Sequence, residues 1–135
     1  MSISGRYAAA DLRAFCAQAL ERSGARAADS AVVADGLAAA DLRGVHSHGA
    51  LRIGIYVDRL RADSIHPDAK LDIVRDSGGV LVADAQAGLG IAMAARAMDL
   101  AIARSQAHGI VAVSVKNSNH CGMLAYHAMR ALPAG

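Results

Sequence analysis

The sequence predicts an α/β protein in which a helical segment, residues 1–66, is followed over residues 67–135 by part of a mixed sheet with packed helices. Three observations predict it. Up to Leu60 the apolar residues recur at spacings of three and four, the period of helices that bury one face. After Pro67, short apolar runs flank Asp76-Ser77-Gly78-Gly79, which signals two strands around a glycine turn. Ile110 to Val115 is a run rich in β-branched residues, of the kind a buried strand shows.

The elements follow in order. Leu12, Phe15, Cys16, Ala19 and Leu20 share a face of a first helix over Ala8 to Ser23, with Asp11 in its first turn and Gly24 as its stop. A second helix runs from Ala27 to Leu42 through Val32, Val33, Leu37 and Ala40, opening with Asp29 and Ser30, closing at Gly44, and slightly weakened by Gly36. The third, Leu51 to Leu60, sets Leu51, Ile55, Tyr56 and Leu60 against Arg52, Asp58 and Arg59. Gly44-Val45-His46-Ser47-His48-Gly49 forms the turn before it. Leu71 and Ile73 pair with Val80-Leu81-Val82, a long amphipathic helix runs from Gly90 to about His108, and a last helix spans Cys121 to Leu132 before Pro133.

Composition narrows the function. A chain of 135 residues makes one ordinary domain, and 32 alanines beside only 3% aromatic residues require a core of closely packed helices. Fourteen basic against twelve acidic residues are interleaved rather than massed, so neither nucleic acid nor an anionic membrane is an expected partner. Twelve of the fourteen are arginine, which beside so much alanine weakens any single arginine as a functional signal. Cys16 and Cys121 are too few for a disulfide framework, and no stretch reaches the roughly 18 apolar residues of a membrane span. A soluble, cytoplasmic protein is expected.

Two constellations can carry chemistry. Ser47-His48-Gly49 with Arg52 puts an imidazole that titrates near neutrality beside a fork that binds carboxylates, which suits proton transfer at a carbonyl or hydroxyl next to a carboxylate. A helix cap and a surface arginine explain the same residues. Asn117-Ser118-Asn119-His120 lies where a strand hands over to a helix, a common place for sites in α/β proteins. There the helix dipole and Lys116 are expected to keep His120 neutral. Alternatively, Ser118 or Asn119 is only an N-cap. His66, His108 and His127 read as structural or surface residues.

Two other patterns carry less. Gly88-Leu89-Gly90 imitates a dinucleotide fingerprint, but Met93 fills the third glycine position, the next strand ends without an acid, and the preceding strand belongs to a hairpin. These glycines are expected only to turn the chain into its helix. His46-x-His48 with a distant His120 could supply three imidazoles to zinc in a hydrolase, although such pairs usually close a buried strand, and no metal is expected.

The stretch Ala40-Asp41-Leu42-Arg43-Gly44-Val45-His46-Ser47-His48-Gly49, continuing through Arg52, Tyr56 and Leu60, resembles the N-terminal signature of the malate/L-lactate dehydrogenase family, which lacks a Rossmann fold. Gly88 to Gly90 with its helix resembles the next block. Gly109-Ile110-Val111 through Asn117-Ser118-Asn119-His120, with Gly122 and Tyr126, resembles the one after. The resemblance implies the N-terminal, incomplete part of an L-sulfolactate dehydrogenase-like fold. It further implies reversible reduction of a 2-oxo acid with NAD or NADP, in a homodimer whose site lies between lobes. Within it, His48 resembles the proton donor, Arg52 the substrate-binding arginine and His120 the second active-site histidine, with Ser47 and Asn119 on the substrate side. Cys121 stands where an aromatic residue is usual, and His46 where an acid is common. Most cofactor-binding residues are expected beyond residue 135, so the isolated chain is expected to turn over little. A non-catalytic binding or oligomerisation module and the zinc hydrolase are the competing readings.

Overall fold

A computed structural model describes residues 5–135. Three helices come first, α1 (Ala9–Glu21), α2 (Ala27–Leu42) and α3 (Ile53–Arg61), with single 3-10 turns at His46–His48 and Ala50–Arg52 leading into α3. Then follow β1 (Asp72–Asp76), β2 (Val80–Asp84), α4 (Gly90–His108), β3 (Ala112–Lys116) and α5 (Leu124–Ala128), closed by a 3-10 segment at Met129–Ala134. The sheet is mixed. β1 pairs antiparallel with β2, with an irregularity between Ile73 and Arg75, and β2 pairs parallel with β3. The parallel pair is possible because α4 carries the chain back across the sheet, a return that no tight turn can make.

β2 therefore belongs both to the hairpin and to a β2-α4-β3 unit. The sequence objection that the strand before Gly88 does not open such a unit is corrected here: a central strand can pair on both edges.

The core forms where the three helices meet the start of α4. Cys16, Leu20, Val33, Leu37, Tyr56, Leu60, Ile65, Leu89 and Ile91 share one buried cluster. Gly36 acts as a spacer, since a Cβ there would stand 2.9 Å from Ile91 Cγ2 and 3.4 Å from the Tyr126 ring. Its small cost in helix propensity secures close approach of α4 and the last helix. A second cluster joins Ala69, Ala85 and Met93 under Leu71 and Val115.

Several expectations are revised. Phe15 is 61% exposed although Cys16 and Leu20 are fully buried, so the buried stripe of α1 is narrower than its apolar pattern. Leu51 and Ile55 are exposed while Tyr56 and Leu60 are buried: Leu51 lies in the 3-10 turn, out of phase with α3, and Ile55 lies within α3 but outside its buried stripe. The last helix starts at Leu124 instead of Cys121, since Gly122 adopts φ +75° and breaks the helical run. β3 is not enclosed: it occupies a sheet edge, alternates between exposed and half-buried residues, and is preceded by Ile110 at 87% exposure. Among the described residues, no helix is long and apolar enough to cross a membrane.

Candidate active site

The loop between α2 and α3 is held from beneath by Asp41. One carboxylate oxygen accepts a hydrogen bond from the Ala50 backbone N–H at 2.8 Å, and the other meets His46 Nδ1 at 2.8 Å. Gly49 lies against this carboxylate so closely that any Cβ would overlap it. Its backbone, at φ −91° and ψ −155°, is one that any residue adopts, so space and not conformation requires the glycine. The clamp turns His46 outward and leaves Ser47 and His48 on the opposite side of the loop.

There Ser47 Oγ and His48 Nδ1 share a hydrogen bond of 2.9 Å, and Arg52 Nε donates to the Ser47 carbonyl at 2.7 Å. The Arg52 guanidinium thus returns to the loop that carries His48, as its four-residue spacing predicts, with Nη1 and Nη2 uncommitted among the described residues. Across the gap stands His120, its ring centroid 5.2 Å from that of His48. The Tyr56 hydroxyl, on a side chain only 4% exposed, reaches His120 Nδ1 at 2.7 Å. For both imidazoles Nδ1 is engaged, and Nε2 has no hydrogen-bond partner among the described residues.

Close backbone contacts put His120 there. Gly90, the first residue of α4, touches the carbonyls of Asn119 and His120 so tightly that a Cβ would overlap both. Asn119 Nδ2 donates to the carbonyls of Ala87 (2.9 Å) and Gly88 (3.1 Å), tying the segment after β3 to the turn after β2. Gln86, Ala87 and Asn117 all adopt positive φ in these two turns, a concentration of backbone strain typical of sites that must hold a shape. Beside them is a polar cavity of about 530 Å³ lined by Ser64, His66, Asp84, Gln86 and Asn117 to Asn119; the imidazole pair does not line it.

Burial above all, and then the charges of Arg52, His48 and Arg59, hold His120 below the ordinary imidazole pKa. The sequence expectation of a neutral His120 therefore stands, but its cause is corrected. α5 begins four residues later and Lys116 turns to Asp84 at 3.4 Å, so neither a helix dipole nor Lys116 supplies the effect. Burial, reinforced by Cys121 and opposed by Arg52 and Arg59, pushes the Tyr56 phenol up to about 12, so it remains a protonated hydrogen-bonding partner throughout the physiological range.

The structure brings His48, with Ser47 bonded to it, Arg52 and His120 around one gap, turns His46 to Asp41, and engages the Asn119 amide with the Ala87 and Gly88 carbonyls and with Arg59. Among the described residues, no group of three or more His, Cys, Asp or Glu side chains is arranged to hold a metal ion. His127 is buried with Nε2 at 2.7 Å from the Cys121 carbonyl, the structural role expected of it. Gly88 and Gly90 are both filled by their own chain, Gly88 by Met93, Ala69 and the Ala85 carbonyl. Neither leaves room for a side chain where the chain turns into α4.

Tyr56, Arg59 and Asp41 escaped the sequence reading as site residues. Arg52, Tyr56 and Arg59 do carry a signal, spacings of four and then three that place them along one helix face. Asp41 carries none beyond its place at the end of α2.

The chain is similar to several known proteins. Residues 7–135 match the sequence model of the malate/L-lactate dehydrogenase family. The chain is 36% identical to a malate dehydrogenase of Pyrococcus abyssi over 125 residues, which are 93% of this chain and 34% of that protein. It is 34% identical to an L-sulfolactate dehydrogenase of Methanocaldococcus jannaschii, over 84% of this chain and 33% of that one. The solved structure of the Pyrococcus horikoshii malate dehydrogenase superposes with a TM-score of 0.91 at 35% identity, covering 93% of this chain and 36% of that one. The chain thus spans about a third of the length of these relatives, corresponding to their N-terminal part. With that match running from Tyr7 to the last residue and including both histidine segments, the chain belongs to the malate/L-lactate dehydrogenase family.

Proposed function

We propose that this chain is the N-terminal part of an NAD(P)-dependent oxidoreductase that reduces a 2-oxo acid to a 2-hydroxy acid, with residues 1–66 as its helical segment and residues 67–135 as the start of its sheet region. The observation that carries the proposal is the pair of imidazoles 5.2 Å apart, each with Nδ1 engaged, beside a guanidinium whose two terminal nitrogens remain free. Arg52 binds the C1 carboxylate through Nη1 and Nη2, its Nε being held by Ser47. His48, oriented by Ser47, gives its proton from Nε2 to the C2 oxygen as the carbonyl becomes an alcohol, general-acid help worth about 10²- to 10⁴-fold. His120 stays neutral and can donate a hydrogen bond from Nε2 to the same oxygen, while in the reverse direction the hydroxyl proton returns to His48. The Tyr56 hydroxyl can donate to or accept from Nδ1 and so serves either tautomer. Ser47 and Asn119 complete the substrate side.

The hydride is supplied by NADH or NADPH. Most of the cofactor site is expected beyond residue 135, so the 135-residue chain by itself is expected to turn over little. The protein is further proposed to act as a cytoplasmic homodimer. The test supplies NADH or NADPH and a panel of 2-oxo acids to a version extended to the relatives' length, and follows nicotinamide absorbance. Reduction of at least one acid, lost in His48→Asn, is expected. A folded extended version that reduces none refutes the proposal.

A further inference from the structure

Among the described residues, five of the twelve guanidiniums are matched to carboxylates. Arg13 pairs with Asp35, Arg26 and Arg96 with the buried Asp29, Arg104 with Asp76 and Arg130 with Asp99. Of the arginines without a carboxylate partner among the described residues, Arg52 and Arg59 are the two whose charges act on His120. Arg52 bonds the residue before His48, and Arg59 Nη1 reaches Asn119 Oδ1, on the residue before His120, at 3.4 Å. The contact of Arg59 is long for a hydrogen bond and leaves its other donors free.

The two arginines are seven residues apart, two helical turns and roughly 10 Å of rise. Arg59 reaches from α3 to the residue before His120, so that its charge acts on the same imidazole as that of Arg52. The site therefore holds two permanent positive charges with a neutral His120 between them and no described acid to offset either. A substrate with one carboxylate compensates one charge and leaves the other.

Resting on the 2-oxo acid reading, we propose that Arg59 is a second anion-recognising residue of this site, selecting substrates that carry a carboxylate or sulfonate in addition to the C1 carboxylate. Arg52 takes the group next to the reacting carbon, and Arg59 takes the distal one.

The test titrates this chain with malate, a dianion, and lactate, a monoanion, at constant ionic strength, following the ring-proton NMR signals of His48 and His120. Malate is expected to bind roughly tenfold tighter than lactate, the scale of one charge-assisted contact. Arg59→Gln, an exposed substitution, brings malate to the lactate level and leaves lactate unchanged. Arg59→Lys keeps part of the preference, and Arg52→Gln weakens both acids. Equal affinities in the parent chain, or an Arg59→Gln loss shared by both acids, overturn the role of Arg59 while the 2-oxo acid reading survives. If neither acid moves the histidine signals, the role of Arg59 falls, while the 2-oxo acid reading is decided separately by the extended version's reduction assay.

Discussion

Gly49 and Asp41 offer a direct test of how the histidine loop is held. Replacing Asp41 with Ala removes the acceptor for the Ala50 N–H and for His46, two contacts of 2.8 Å, and leaves a half-buried amide unpaired. Leaving a buried or half-buried donor orphaned costs about 1 to 3 kcal/mol, so Asp41→Ala is expected to destabilise by about 2 kcal/mol. Gly49→Ala acts by another route to the same end: the new methyl occupies the carboxylate's place and expels it, with no backbone strain added. It too should cost about 2 kcal/mol. Once Asp41 is gone the methyl meets open space, so the double variant should be only slightly less stable than either single one, with a coupling of about 1.5 to 2 kcal/mol. Urea unfolding followed by circular dichroism measures all four corners of the cycle. Additive losses, near 4 kcal/mol in the double variant, would show that Gly49 is not spaced by Asp41 and that the clamp is not what shapes the loop.

Three further predictions concern the imidazole pair and the segment that carries it. Tyr56→Phe keeps the packing and deletes the 2.7 Å contact with His120; stability should fall by about 1 kcal/mol, and the His120 ring signals should broaden or shift in an NMR spectrum while those of His127 stay in place. Gly90→Ala drives a methyl into two backbone carbonyls that cannot swing aside, and should cost about 3 kcal/mol together with a displaced His120 signal. The pKa of His120 is depressed in the fold, so the unfolded chain binds its proton first as pH falls. This residue's contribution to stability is therefore complete above the ordinary imidazole pKa near 6.5 and is lost as pH falls from there through the folded value, and His120→Asn should flatten that part of a stability-against-pH curve. An NMR titration that places the His120 midpoint at or above 6.5 would contradict it.

The periodic elements were legible from the chain alone because local rules decide them. α2 and α4 follow their apolar spacing residue for residue, and the β1–β2 turn falls on its glycines. Boundaries slipped where a single residue's conformation outweighs the pattern, as Gly122 does before α5. The histidines were legible as chemistry, but their distance and their partners were not. Tyr56 looked like core, which it is by burial, while its hydroxyl does a second job that apolar spacing cannot reveal.

By itself, then, the sequence determined the helices, the hairpin, the family and the residues capable of proton transfer, since propensity, period and side-chain chemistry are properties of short stretches. Only the tertiary structure decided that β2 pairs on both edges, that β3 lies exposed at one of them, and that Asp41 and Gly90 position the two histidine segments. Those outcomes depend on which groups as far as 32 positions apart pair with or exclude one another, a matter of packing that no local pattern encodes.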